Sequence, residues 1–366
     1  MLDKRIIAIN LPQFHPFKEN DEWWGKGFTE WTNVTKAKPR FRGHYQPQLP
    51  TETGFYDLRL PEARQMQADM AKEYGVYGFC YYHYWFNGHR LMEKPVEEIL
   101  ASKEPNFPFM LCWANENWAR NWDGGFKNVL IEQKYSRDDD IAHMKYLCEK
   151  VFSDNRYITV DGKPFFVVYK PQLFPNLKDT IATWRKIADK YGYKLYLGFM
   201  HSGDLDRAKL ISEVGFDVAI DFQPHQSAIL GQDDKKWTDN FFYRLCQHFF
   251  KIKDNPCNRS FNYSRYSLYA CKHMEKCYKE YPCLTPGWDN SARRVGKPFF
   301  MLKGNTPKLF GKWLKYVLKH FVPFSKEENF IFINAWNEWA EGNHLEPDNK
   351  WGNEFLQELK NALKDE

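Results

Sequence analysis

The chain has 366 residues, 43% of them hydrophobic, enough to bury one large core or two ordinary ones. Its formal net charge is +5 and its basic residues are spread rather than massed, which argues against a nucleic-acid surface. Met1 leads within a few residues into a strand-like segment, no apolar run has membrane-spanning length, and the eight cysteines form no CxxC pair, so the expectation is a cytoplasmic protein with reduced thiols.

In chain order, Ile6 to Asn10 is a short apolar run suited to a strand buried on both faces. Pro12 ends it, and Asp21 to Thr32 reads as a polar and aromatic loop. Pro61 to Tyr74 reads as a helix, with proline in its first turn and Gly75 as its stop. Val76 to Tyr82 is the second strand, a helix follows around Pro95 to Leu100, and Phe109 to Ala114 is the third strand. Asp138 to Phe152 is helical, Phe165 to Tyr169 the fourth strand, Thr180 to Tyr191 an amphipathic helix and Leu195 to Met200 the fifth strand. Val218 to Phe222, Cys283 to Trp288 and Phe330 to Asn334 complete a set of eight strands, and Phe355 to Leu363 marks a closing helix. Strands alternating with helices predict an α/β fold, a (β/α)8 TIM barrel forming a single domain over residues 1–366. The alternative is an open doubly wound sheet, but no glycine-rich phosphate turn follows the first strand. Residues 223–282 form an insertion between strands six and seven, longer than a crossover needs. Within it, 241–253 is aromatic and basic and reads as helix packed on the barrel, with weak membrane-surface contact as the alternative.

The active site of such a barrel lies at the C-terminal ends of its strands. Polar groups beside aromatic rings recur there: Gln13 and His15 after strand one, Tyr82 and Trp85 after strand two, and Asn115, Glu116 and Trp118 after strand three. His201 follows strand five, Asp221 and Gln223 strand six, and Trp288 and Asp289 strand seven. Trp31 stands in the aromatic loop. Strand eight runs into Trp336-Asn-Glu-Trp-Ala-Glu-Gly342, where Glu338 and Glu341 stand three apart beside tryptophans. Paired carboxylates divide acid and base work when their surroundings push their pKa values apart, and indole faces suit sugar rings. A solvated loop with two surface acids is the plainer reading of the spacing alone. Neither HExxH nor GxSxG occurs, and Asp138-Asp-Asp140 sits where a helix begins, a common place for acids. No metal and no cofactor is expected.

The runs Leu11-Pro-Gln-Phe-His15, Trp23-Trp-Gly-Lys-Gly-Phe-Thr-Glu-Trp-Thr-Asn33, Gly78-Phe-Cys-Tyr-Tyr-His-Tyr-Trp85, Cys112-Trp-Ala-Asn-Glu-Asn-Trp118 and Trp336 to Gly342 together resemble the WbsX-type proteins, named as glycosyltransferases of surface-polysaccharide gene clusters. More remotely, the chain is similar to glycoside hydrolase family 99, the retaining endo-acting α-mannosidases and α-mannanases. That resemblance implies an oligosaccharide or polysaccharide substrate with Asn337 and Trp336 beside it. It also implies that Glu338 deprotonates a sugar 2-hydroxyl, which attacks C1 to give a 1,2-anhydro sugar, while Glu341 protonates the leaving oxygen and then activates water. The chain departs from the mannosidases at Ala340, where they usually carry a histidine. Three alternatives stay open: a sugar transferase, a non-catalytic carbohydrate-binding barrel, and a scheme with Glu116 as acid and Glu338 as nucleophile. The sequence specifies no oligomeric state.

Overall fold

Short runs of β-branched and aromatic residues buried on both faces are what a helix-covered parallel sheet requires. The computed structural model, which describes residues 4–120, 125–200, 205–224, 259–274 and 276–365, arranges them in that way. The barrel strands are β1 (Arg5–Asn10), β2 (Val76–Phe86), β3 (Phe109–Trp113), β4 (Lys163–Val168), β5 (Tyr196–Phe199), β6 (Val218–Ile220), β7 (Glu280–Tyr281), β8 (Cys283–Leu284) and β9 (Phe330–Ile333). From β1 to β7 each pairs in parallel with the next, β8 pairs with β9, and β9 returns to β1 with Ile6 opposite Ile331.

Strands β7 and β8 are one stave interrupted at Pro282, which has no N–H for a ladder. Its carbonyl accepts from Phe332 N at 2.8 Å on one side, and the Tyr281 carbonyl accepts from Asp221 N at 3.0 Å on the other. Counted so, the sheet closes as a (β/α)8 barrel. The chain expected as one strand from Cys283 to Trp288 therefore leaves the ladder after Leu284.

Helices α1 (Lys18–Trp24), α2 (Glu30–Lys36) and α3 (Pro61–Glu73) follow β1, α4 (Lys94–Ser102) follows β2, α5 (Arg137–Tyr146) follows β3, and α6 (Leu177–Lys190) follows β4. Helix α7 (Tyr263–Lys272) precedes β7, α8 (Pro307–His320) follows β8, and α9 (Glu354–Lys364) closes the fold. The stretch expected to be a loop between Asp21 and Thr32 instead carries the end of α1 and the start of α2. The Thr29 N–H bonds Thr32 Oγ1 at 3.3 Å at the new helix start, and Gly25 and Gly27, both at positive φ, make the break before it. His201, the 241–253 segment and most of the expected 223–282 insertion lie outside the described residues.

At the N-terminal end the barrel is filled by rings. Phe165 on β4 lies 5.7 Å from Phe330 and 6.0 Å from Tyr281, across the barrel axis. Buried Glu328 beneath them accepts from Tyr196 Oη at 2.9 Å and from Lys279 Nζ at 2.6 Å. With its floor occupied, the fold leaves its functional surface to the C-terminal loops. No helix among the described residues is long and apolar enough to cross a membrane.

Gly78 marks where β2 approaches the segment entering β3 most closely. A Cβ there would lie 2.7 Å from the Pro108 carbonyl oxygen, which already accepts from Phe79 N at 3.0 Å. Backbone cannot swing aside as a side chain does, so Gly78→Ala should lower the unfolding free energy in urea by about 1–3 kcal/mol. An unchanged midpoint would show that the two segments are not in contact.

Candidate active site

The chain leaving β9 turns its side chains in two directions. Trp336 and Trp339 face inward, fully buried, and donate through Nε1 to the two oxygens of Glu346 at 2.9 and 2.7 Å. Tyr56 Oη and Gln67 Nε2 add two more donors at 2.8 and 2.7 Å, so each Glu346 oxygen accepts twice. Burial pushes this carboxyl up to about 7, against the pull of those four donors. Trp336 was expected to offer a sugar-facing indole, but the structure leaves it no accessible face. Asn337 is likewise a brace: its Oδ1 accepts from Leu11 N at 2.7 Å, and its Nδ2 reaches Asn10, the Leu11 carbonyl and Tyr56.

Glu338 and Glu341 face the other way and meet one guanidinium. Arg293 Nη2 lies 2.7 Å from Glu338 Oε2, and Nη1 bonds Glu341. A third acid shares it: Glu30 Oε1, on α2, lies 2.7 Å from both Nε and Nη2 of Arg293. Three carboxylates thus surround one cation. Burial pushes Glu338 up to about 8 although Arg293 pulls it down, and burial raises Glu30 in the same way. Burial also works against the charge on Arg293, but Glu30, Glu341 and Glu338 hold it firmly protonated. Asp289 sets where this arginine stands. It caps the turn Asn290–Arg293 through Ser291 N at 3.1 Å, and its other oxygen accepts from His44 Nε2 at 2.7 Å and Gln46 Nε2 at 2.8 Å. Expected to bind substrate, Asp289 is instead committed to three donors.

Period-two alternation along β2 separates its aromatic residues. Tyr82 and Tyr84 point to the side where Glu338 stands, whose charge adds to burial in raising both phenols. His83 and Trp85 point toward α5: His83 Nε2 lies 3.0 Å from His143 Nε2, and Trp85 donates to Asp139 Oδ1 at 2.8 Å while stacking on His143. Trp85, expected at the site, therefore belongs to the layer between sheet and helix. Trp31, also expected at the site, is buried among the segments that follow β1 and β9, donating to the Tyr56 carbonyl at 2.9 Å and packing on Phe14 and Trp339.

An arc of rings runs beside Glu338: Phe222 against Tyr169 at 5.3 Å, Tyr169 against Tyr82 at 5.9 Å, Tyr82 against Tyr84 at 6.4 Å, and Tyr84 against Trp118 at 5.3 Å. Glu116 pairs with Lys170 Nζ at 2.6 Å and is partly exposed, and its charge adds to burial in raising Tyr169. Asn115 bonds both the N–H and the carbonyl of Lys170 at 2.8 Å, pinning the loop after β4. Gln223 is held by Tyr266 and Asp221, and Asp221 by Arg207 at 3.4 Å. Gln13 is fully buried, and neither of its amide atoms has a partner among the described residues. His15, buried beside it, is pushed down to about 4 by burial and is neutral. Trp288 lines a pocket of about 110 Å³ with Asp289, Gly342 and His344, behind the Glu341 turn; neither Glu338 nor Arg293 lines it. Among the described residues no group of three or more His, Cys, Asp or Glu could hold a metal ion.

Sequence reasoning missed Arg293, Glu30, Glu346, Tyr84 and Tyr169. The available signal was local: Glu30 is a lone charge between Phe28 and Trp31, a setting that favours burial.

The family model described as glycosyltransferase WbsX matches residues 6–359. The uncharacterized protein WxcX of Xanthomonas campestris pv. campestris, strains B100 and ATCC 33913, is 38% identical over 364 residues, covering 99% of this chain and 50% of each relative. The chain thus spans about half the length of the curated relatives it matches. Among solved structures, a glycoside hydrolase-like protein aligns with TM-score 0.60 at 14% identity, covering 99% of this chain and 94% of that one. The GH99 endo-α-mannosidase of Bacteroides thetaiotaomicron aligns with TM-score 0.56 at 14% identity, covering 100% and 98%. These likenesses confirm the TIM-barrel fold.

Glu346→Gln should destabilise the fold by about 2–4 kcal/mol, because the new NH2 must face two buried donors. The folded-state pKa of Glu346 lies above its ordinary 4.5, so the stability it contributes is complete below about 4.5 and lost as pH rises through about 7. Urea titrations should therefore show wild-type stability falling from pH 5 to 8, and the variant falling less.

Proposed function

Because the chain belongs to the glycosyltransferase WbsX family, we propose that it is a carbohydrate-active enzyme of surface-polysaccharide metabolism, a retaining endo-type glycoside hydrolase for α-mannose-like linkages. The observation that carries this reading is the pair Glu338 and Glu341 on one guanidinium, beside an arc of tyrosines at the C-terminal end of a barrel. Tyr82, Tyr84, Tyr169 and Trp118 give ring faces and hydroxyls for a sugar. The unpartnered amide of Gln13 is a further polar group for a hydroxyl.

In this scheme Glu338 takes the proton of the sugar 2-hydroxyl. O2 then bonds to C1 as the C1–O bond to the leaving sugar breaks, and Glu341 gives its proton to the departing oxygen. Water, deprotonated by Glu341, opens the 1,2-anhydro ring at C1, and O2 recovers the proton from Glu338. Two inversions at C1 give net retention. Burial makes Glu338 a stronger base than an ordinary carboxylate, and it also leaves a smaller fraction ionised at neutral pH.

The second reading, favoured by the family's own description, is sugar transfer with a saccharide hydroxyl in place of water. A product assay separates the two. Wild type and the Glu338→Ala, Glu341→Ala double variant are given bacterial surface polysaccharides and α-mannosides, with sugar nucleotides in parallel. New reducing ends from wild type alone support the hydrolase; nucleotide release without them supports the transferase.

On a substrate so found, Glu341→Gln should lower kcat about 10²–10⁴-fold, the usual contribution of a general acid. Glu116→Gln should leave the leaving-group step intact; loss there alone would favour the Glu116 scheme. Glu338 as base and Glu341 as acid work together only while the cluster holds one proton, so kcat/KM should fall as pH rises through about 8, where that proton is lost. A rise through that range would show that the leaving-group proton comes from outside this cluster.

A further inference from the structure

We infer that Glu30 is a positioning residue for the Glu338–Glu341 pair: from the first turn of α2 it grips the Nε edge of Arg293 and so fixes the direction in which the two terminal nitrogens meet the pair. The inference rests on the reading of that pair as the reacting groups.

Glu30 is fully buried, and charged side chains are buried to that degree almost only when paired. Its partner already has two carboxylates, so neutralising Arg293 does not require a third. Its second oxygen, Oε2, has no hydrogen-bond partner within bonding distance among the described residues, so Arg293 is the cation the buried carboxylate is committed to. The three acids also divide the guanidinium in an ordered way. Glu341 meets Nη1, Glu338 meets Nη2, and Glu30 spans Nε and Nη2. A guanidinium is a rigid planar fork, so holding its Nε edge orients both terminal nitrogens. Released from Glu30, the fork could turn and chelate one carboxylate with both terminal nitrogens, the geometry arginine favours. The pair would then no longer share the cation.

The grip is built from both ends. The Glu30 N–H donates to the Gln13 carbonyl at 3.1 Å, tying α2 to the loop leaving β1, and Asp289 caps the turn that carries Arg293. The other groups acting on the cluster are Arg294 from the same turn, Tyr82 and Tyr84 from β2, and Tyr169 after β4.

The test is Glu30→Gln, which keeps the shape and an acceptor for Nε but removes the charge. The carboxyl stretch of Glu338 is titrated by difference infrared spectroscopy, with Glu338→Gln to identify the band. Loss of the Glu30 charge should move the Glu338 midpoint down from about 8 by about one pH unit, and the limb of kcat/KM with it. A folded variant with the wild-type midpoint overturns the inference. If Glu30→Gln does not fold, Glu30→Asp retains the charge on a shorter stem; it should lower kcat at least tenfold and leave KM near wild type. Wild-type kcat in that variant, or failure of both to fold, overturns the assignment. A shifted midpoint in a protein without activity on any sugar keeps Glu30 in its role and removes the hydrolase reading. An unshifted midpoint with activity lost in Glu341→Gln does the reverse.

Discussion

The Arg293 guanidinium joins parts of the chain that are far apart in sequence: α2 through Glu30, and the turn after β9 through Glu338 and Glu341. Taking ions out of water is costly, and the attraction between them repays it only when the geometry satisfies nearly every donor. That condition explains the surroundings. Asp289 caps the turn under Arg293, His44 and Gln46 hold Asp289, and α2 is tied to the loop after β1. The floor of the barrel is set by ring packing over the buried Glu328 and its two donors, but its mouth is set by this network.

A second buried acid does comparable work without a cation. Glu346 gathers the indoles of Trp336 and Trp339, and so decides which way the segment between them faces. With the tryptophans fixed inward, the intervening Glu338 and the following Glu341 face Arg293. The two acid clusters thus lie on opposite sides of one short stretch. The spacing that makes the motif recognisable is a consequence of serving both.

The barrel was legible because its strands are buried on both faces, and such strands are continuous apolar runs such as Ile6–Ile9 and Phe330–Ile333. The split at Pro282 was written in the sequence as a proline, but only pairing on both sides shows that β7 and β8 are one stave. Helices α1 and α2 were hidden because each is only seven residues long and mixes glutamate and lysine with weaker helix formers, asparagine, aspartate and tryptophan in α1 and asparagine, threonine, valine and tryptophan in α2. At the site, the end of each strand could be read, but not the side to which a residue points. Tyr82 and Trp85 differ by three positions, hence by one reversal of face, and a reading that placed both at the mouth could not be right for both. Arg293 was beyond reach for another reason. Nothing near it in sequence predicts that three acids from two distant segments converge on it.

The charge count at the mouth bears on which chemistry the cluster suits. Three carboxylates and one guanidinium in a buried site cannot all remain ionised without a net negative charge in a medium of low polarity, and the upward displacement of Glu338 and Glu30 expresses this. The cluster therefore keeps a proton near neutral pH, whichever oxygen carries it. A departing nucleoside diphosphate is a weak base and leaves without protonation, so a transferase using such a donor gains little from a stored proton. A departing sugar alkoxide is a strong base and does need one. A buried acid cluster that holds a proton is thus better matched to breaking a bond between two sugars, by water or by another sugar hydroxyl, than to displacing a nucleotide. On that argument the transferase description and the hydrolase-like fold are compatible if the donor is itself a saccharide.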